Sequence, residues 1–380
     1  MRVVTVIGNR PQFVKAAAVS RLLRAEHEEI LVHTGQHYDE EMVDVFFHDL
    51  KLAPPDYALA VGSGSHAKQI AQIILGLEEI FRREEAKLVI VQGDTNTTLG
   101  GALAARQLGI PVAHVEAGCR SHNRQMPEEQ NRIVVDHLAD YLFTPDAIAT
   151  EHLLREGIAT DRIFMTGSTG VDACLRNWGY ATTQPVLDHL NIERRAYGLV
   201  TVHRAANTVP EVLPGIFAAL NEIAGQLPLV FPMHPHTRAV FDALGLADGL
   251  HPDIHLLPPL GYLDSLALIG NALVVLTDSG GVQEETAALR IPTLILREET
   301  EWQAYVNAGT HRLVGMKPET IVPHFHALLR DGSLDATPLH ALPASAGAAG
   351  RIAAILATIL PYDQPIRLPV TPRPASEHTA

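Results

Sequence analysis

The sequence predicts an α/β protein of two Rossmann-like domains that face each other across a cleft. Three observations carry this. Short β-branched runs alternate with longer amphipathic runs, the pattern of a parallel sheet covered on both faces. The rhythm is lost from Asp172 to Arg195, which contains Trp178-Gly179-Tyr180 and Gln184-Pro185, and it restarts at Gly198. The chain, at 380 residues, also exceeds the usual size of a single core. The domain crossing is placed in the interrupted stretch. That gives one domain over 1–172, a second over 173–360 and a tail over 361–380.

In the first half, Val3–Ile7, Ile30–His33, Leu88–Gln92, Val112–Glu116, Tyr141–Thr144 and Ile163–Thr166 read as strands. Val14–Ala25, Ala67–Arg82, Thr97–Leu108 and Gln130–Ala139 read as helices. In the second half the strands are Gly198–Val202, Leu229–Met233, Ile254–Leu256, Leu273–Thr277 and Thr293–Leu296. The helices between them are Val209–Ala224, Thr237–Leu244, Leu263–Gly270 and Val282–Leu289. Ala344–Ile359 reads as a late Ala-rich helix, a candidate to pack back on the first domain. The tail after Pro361 is rich in proline and reads as extended or frayed.

Composition narrows the class. Hydrophobic residues make up 47% and charged residues 19%, which is globular. A formal net charge of −14 disfavours nucleic acid or an anionic membrane as partner. An anionic small ligand stays possible where basic residues gather. The two cysteines, Cys119 and Cys174, form no CxxC and no zinc spacing, as expected of free thiols in a reducing compartment. The opening run MRVVTVIG is too short for a signal segment or a membrane span. The expectation is a soluble, cytoplasmic protein with no essential metal and no cofactor. No HExxH or facial-triad spacing is present.

Ligands of such sheets bind beyond the carboxyl ends of the strands, here in the cleft between domains. The stretch Leu276 to Glu285, LTDSGGVQEE, is strand, glycine turn and helix. The first N–H groups of that helix carry partial positive charge and suit a phosphate. Gly280 and Gly281 let a ligand approach the backbone closely. Glu284 or Glu285 can accept hydrogen bonds from a ribose. An ordinary capped βα turn fits the same pattern. Gly8-Asn9-Arg10-Pro11-Gln12-Phe13-Val14-Lys15 follows the first strand and brings Arg10 and Lys15 to the cleft, without being a GxGxxG or Walker A motif.

Acidic residues recur at the same rim. Asp94 follows the Leu88–Gln92 strand, and taken alone it reads first as a helix cap. Glu116 ends the next strand and alternates with His114, so the two share a face. Glu128-Glu129 follows Pro127 at a helix start. Paired carboxylates in a partly dry cleft can be driven apart into one acid and one base. In the second half, His203, Arg204, His234 and Arg238 make a positive patch suited to a diphosphate.

The chain resembles the non-hydrolysing UDP-N-acetylglucosamine 2-epimerases. The matching stretches are Gly8 to Lys15, Thr34-Gly35-Gln36-His37, Gln92 to Thr95, His114 to Gly118, Met126 to Arg132, His203-Arg204, Leu276 to Glu285 and Thr300-Glu301. The wording of HTGQHYDEEM, HNRQMPEEQNR and Glu301-Trp302 is also close to the branch acting on UDP-2,3-diacetamido-glucuronic acid. The resemblance implies a GT-B-type fold, a homodimer and inversion at C2 of a UDP-amino sugar through a bound glycal. It implies that Asp94, Glu116 and Glu128 are the acidic catalytic set and His203 the catalytic histidine. Ser279, Gly280 and Gly281 would hold the diphosphate and Glu285 the ribose, with Arg10 and Lys15 facing the nucleotide or reacting phosphate. Gln36, His37 and Lys68-Gln69 fall where some members bind a second, activating UDP-sugar. One departure stands out: the family usually has Glu two residues after His-Arg, and here that position is Ala206. The competing readings are the diacetamido uronic acid epimerase, a hydrolysing epimerase, a GT-B glycosyltransferase and a nucleotide-sugar-binding regulator without turnover.

Overall fold

The computed structural model describes residues 1–35, 46–330 and 346–359. Among them are thirteen strands. β1 to β7 are Arg2–Ile7, Glu28–His33, Tyr57–Ala58, Leu88–Gln92, Val112–Val115, Tyr141–Thr144 and Ile163–Met165. β8 to β13 are Gly198–Thr201, Leu229–Pro232, Ile254–Leu257, Val274–Thr277, Thr293–Ile295 and His311–Leu313. The first set forms a seven-stranded sheet in the order β3-β2-β1-β4-β5-β6-β7, and the second a six-stranded sheet in the order β10-β9-β8-β11-β12-β13. Every pairing is parallel.

Parallel strands joined by helices are buried on both faces, and the cores show it. In β1, Val3 and Ile7 belong to one apolar cluster and Val4 and Val6 to another. The cluster holding Val3 also takes Leu199 and Val275 from the second sheet, with Phe13, Cys174, Leu266 and Ile352 from helices between them. The two halves therefore share one core.

Local rules set the helix starts. Helix Arg10–Glu26 is capped by Asn9, whose side chain accepts from Gln12 N, with Pro11 in its first turn. Helix Asn96–Gln107 opens with a capping box between Thr95 and Thr98. Helix Leu213–Ala224 begins later than the expected Val209, because Pro214 has no N–H to give and fits only the first turn.

Several elements escaped the sequence reading. β3 has two residues and β13 three, too short for a periodic signal. Helix Ala147–Arg155 has nine residues, and helices Gln303–Asn307 and Pro318–Arg330 also went unread. Helix Thr169–Ala181 lies in the stretch read as losing its rhythm. It packs on helices Arg10–Glu26, Tyr262–Asn271 and Gly280–Leu289, so its apolar residues are not confined to one stripe. The late helix runs over Ala348–Ile359 and lies against helix Arg10–Glu26. Asp172 accepts from Gly347 N and Ala349 N at 2.5 and 2.8 Å, and Arg351 Nε donates to Thr166 O at 2.6 Å. The tail after Pro361, and Gln36 and His37, lie outside the described residues.

Gly118, which follows β5, has φ +79°, and a Cβ there would stand 2.2 Å from the Ala149 carbonyl oxygen. Gly118→Ala combines a left-handed backbone with a clash against backbone. It is expected to destabilise the fold by about 2 kcal/mol or more, read as a lowered thermal midpoint. An unchanged midpoint would show that helix Ala147–Arg155 yields freely.

Candidate active site

In each sheet the strand order turns back once, beside β1 and β4 in the first and beside β8 and β11 in the second. The loops leaving the strands on either side of such a point diverge and leave a crevice. The chemistry-bearing stretches sit on these loops and on the one after β5.

Gln12 joins the first two loops. Its Oε1 accepts from Gly8 N at 2.7 Å, and its Nε2 donates to Gln92 O at 2.8 Å and to Thr95 Oγ1 at 3.1 Å. Arg10 donates from Nη2 to Leu260 O of the second half at 3.1 Å and lies over the Phe46 ring. Lys15 is buried. Its ammonium touches Glu116 and lies 2.9 Å from Glu284 Oε2.

The expected acids divide by environment. Because Thr95 and Thr98 cap the helix, Asp94 is released from capping, and its carboxylate pairs with Arg132. Arg132 also donates to Glu129 Oε2 at 2.9 Å and lies 3.9 Å from Glu301. Burial works against the Arg132 charge, but Asp94, Glu301 and Glu129 more than offset it and push its pKa upward. Glu129 accepts from the Ser121 and His122 N–H groups, both at 2.9 Å. Burial opposes its ionisation, yet these N–H groups and Arg132 hold its carboxyl below the usual range. Glu128 lies in the first turn of helix Pro127–Leu138, half-buried, with no side-chain partner among the described residues.

Glu116 and His114 do not share a face. β5 ends at Val115, and Glu116 takes φ +72°, unusual for a residue with a side chain. Glu116 meets Lys15 on helix Arg10–Glu26. The His114 ring meets Asp136 on helix Pro127–Leu138 at 2.6 Å, and its Nε2 lies 2.7 Å from Gly93 O. Asp136 also accepts from Gly118 N at 3.0 Å and pairs with Arg120 at 2.7 Å. Burial would raise the Asp136 carboxyl, but His114 and Arg120 hold it low. This buried group ties the Asp94 and Glu116 loops together.

In the second half Asp278 is fully buried and accepts from His203 N and Arg204 N, at 3.0 and 2.9 Å. Glu301 collects cations: Arg297 at 2.8 Å and Arg204 at 3.4 Å, with Arg132 beyond. Burial alone would raise its carboxyl, and these arginines hold it far below the usual range. The expected positive patch is brought together in part. The His203 and His234 rings lie 6.2 Å apart beside Arg204, but Arg238 is exposed and paired with Asp242 on its own helix.

Ser279 is the N-cap of helix Gly280–Leu289. A Cβ at Gly280 would stand 2.6 Å from Glu301 Oε1, whereas Gly281 faces open space. Glu285 keeps some exposed surface, but protein surrounds its carboxyl. Burial first, then Glu284, pushes it up to about 8 against the pull of Arg10 and Lys15. The buried Tyr262 hydroxyl lies near Glu285 and makes no hydrogen bond among the described residues. Gln69 is buried, donating to Gly62 O and accepting from Asn96 Nδ2, both at 2.8 Å. Among the described residues no group of His, Cys, Asp or Glu could hold a metal ion.

Sequence reasoning gave no role to Arg132 or Asp278. It read Glu284 only as a ribose acceptor and Arg297 only as a cation for a sugar carboxylate, whereas here they pair with Lys15 and Glu301. Arg132 was the findable one, since it stands three residues after Glu129 on a helix, a spacing that makes an ion pair.

The sequence family described as UDP-N-acetylglucosamine 2-epimerase matches residues 21–357. The chain belongs to this family. It is 44% identical over 327 residues to a UDP-N-acetylglucosamine 2-epimerase homolog of Methanococcus maripaludis, spanning 85% of this chain and 91% of that one. It is 40% identical to the UDP-2,3-diacetamido-2,3-dideoxy-D-glucuronate 2-epimerase of Pseudomonas aeruginosa, over 85% of this chain and 90% of that one. The fold matches, with a TM-score of 0.87 and 38% identity, a crystal structure of Methanocaldococcus jannaschii UDP-GlcNAc 2-epimerase in complex with UDP-GlcNAc and UDP, covering 94% of this chain and 100% of that one. The expected GT-B-type fold is the fold found. No helix among the described residues is long and apolar enough to cross a membrane.

The raised Glu285 carboxyl has a thermodynamic consequence. Its unfolded form ionises near pH 4.5 and its folded form near 8, so it destabilises the fold increasingly as pH rises between those values. Glu285→Gln removes that term. The thermal midpoint of the variant relative to the unaltered protein is therefore expected to climb from pH 5 to pH 8, and a difference constant with pH would contradict the assignment.

Proposed function

We propose that the chain epimerises C2 of a UDP-N-acetylamino sugar, interconverting UDP-GlcNAc and UDP-ManNAc. The observation that carries this is the facing of the two crevices. Lys15 beside Glu116 reaches Glu284, and Arg132 beside Asp94 reaches Glu301, which stands against Gly280 at the glycine-opened helix start.

In this reading a carboxylate of the first half takes the C2 proton, the C1–O bond breaks, and UDP leaves with the bonding electron pair. C1 and C2 become the double bond of a glycal. UDP then adds back at C1, and a protonated group delivers a proton to the opposite face of C2. The three carboxylates share the base and acid roles, with His203 beside the diphosphate. Ser279 already caps the helix, so the free N–H groups of Gly280 and Gly281 are what remain for the diphosphate, and Glu285 meets the ribose. Arg10, close to Glu285, also serves the nucleotide. Contacts between the halves, such as Asn123 Nδ2 to Glu299 at 2.8 Å, help keep water from the glycal. Ala206 is exposed beside His203 and supplies no carboxylate to brace it. A homodimer in the cytoplasm is the accompanying expectation.

A second reading is favoured by one specific group. Arg297 Nη1 is buried in the site without a hydrogen-bond partner, and a sugar carboxylate would supply an acceptor. That suits UDP-2,3-diacetamido-glucuronic acid, the substrate named for the Pseudomonas relative.

The test is deuterium incorporation at C2 in D2O, with UDP-GlcNAc and the diacetamido uronic acid side by side. The true substrate is expected to exchange and to remain a UDP-sugar. No exchange with either removes the epimerase reading. Asp94→Asn and Glu116→Gln are each expected to lower turnover by roughly 10²- to 10⁴-fold with little change in UDP affinity. Ser279→Ala is expected to weaken UDP binding by about tenfold, measured by calorimetry, and unchanged affinity would take this residue out of the site.

A further inference from the structure

One buried cation is shared by two carboxylates from opposite halves. Lys15, on helix Arg10–Glu26, touches Glu116 at the end of β5 and stands 2.9 Å from Glu284 on helix Gly280–Leu289. The side chains of Lys15, Glu116 and Glu284 are only 8%, 13% and 1% exposed. Glu284 is gripped from a third element, for Ser168 Oγ donates to its Oε1 at 2.5 Å. Room for the carboxylate exists because residue 170 is glycine: a Cβ there would stand 2.5 Å from Glu284 Oε1. Glu284 is thus built into the junction of the halves, and the Lys15 ammonium is the group through which it reaches Glu116.

We propose that Glu284 is a positioning residue which, through Lys15, sets how firmly Glu116 holds its negative charge, so that contact between the halves tunes the carboxylate used in proton transfer. The inference rests on the reading of Glu116 as a proton-transfer group. Its physical basis is competition. A buried ammonium between two carboxylates divides its attraction, and each carboxylate also repels the other. With Glu284 in place, Glu116 receives only part of the Lys15 charge and remains a usable base. If the halves part, or Glu284 loses its charge, Lys15 binds Glu116 alone. The other charged groups near this trio are Glu285, which feels both Lys15 and Glu284, Asp94 with Arg132, reached across Gly93, and His114 with Asp136 and Arg120 behind the turn. Of the groups in the first half, Arg132 also meets the second half, at Glu301 3.9 Å away, and the others keep their partners within the first half.

The test is the pH dependence of kcat/KM for the substrate identified by C2 exchange, measured on the full chain. Glu284→Gln is expected to move the acid limb to lower pH by about one unit. It should lower kcat by about tenfold while leaving KM nearly unchanged. Lys15→Met, which removes the shared cation and leaves two facing carboxylates, is expected to move the acid limb to higher pH. Glu284→Asp should restore the original limb. A structural role alone would lower the thermal midpoint and move neither limb. Limbs that stay put, or that move the same way in both variants, overturn the inference. Should Glu284→Gln fail to fold, an unmoved limb in Lys15→Met overturns it alone. Absence of C2 exchange in the unaltered chain would instead remove the epimerase reading itself.

Discussion

The constraint on which the site depends is the reversal of strand order in each parallel sheet. All strands of such a sheet end on one edge, and only where the order turns back do neighbouring loops splay apart. Here those places lie beside β1 and β4 and beside β8 and β11. The shared core presses the two sheets together so that these edges meet, as the 2.9 Å approach of Lys15 to Glu284 records. Neither half holds the set of groups alone. The first contributes the carboxylates around Asp94 and Glu116, the second the helix start at Gly280 and the cation-collecting Glu301.

A chain with formal charge −14 nevertheless buries several cations at its centre. Lys15, Arg120, Arg132 and Arg297 are all nearly inaccessible, and each faces at least one carboxylate. Removing a cation from water is unfavourable unless close partners replace the lost hydration. The excess of acidic residues is therefore not simply a surface property. Part of it lies inside, matched to the cations, and this arrangement fixes side chains that would otherwise have many rotamers. Asp278 does the same for backbone, holding the N–H groups of His203 and Arg204 with one carboxylate.

The alternation of strand and helix was readable because buried parallel strands are apolar on both faces, and Val3–Ile7 and Leu273–Thr277 say so plainly. The glycine turn at Gly280 and the acids at Asp94, Glu116 and Glu128 were readable as strand-end and helix-start chemistry. Their partners were not. Lys15 with Glu284 and Arg132 with Glu301 are pairs far apart in sequence, and no local period announces them. The alternation rule misplaced Glu116 relative to His114 because a positive φ redirected the chain where the strand stops. Helix Thr169–Ala181 was hidden for the opposite reason: packed on several sides, it lacks the polar face by which a surface helix is recognised. Arg238 was grouped with His234 by nearness in sequence, whereas its own helix offers it Asp242.

The return of helix Ala348–Ile359 to helix Arg10–Glu26 means that the chain passes between the halves twice. At its start, Gly347 N and Ala349 N are held by Asp172, in the first turn of helix Thr169–Ala181. Helix Ala348–Ile359 is thereby fastened to the first half both by packing and by the Asp172 carboxylate. A segment that follows the whole second half in sequence thus completes the packing of the first, so the first half is finished only after the rest of the chain has been laid down.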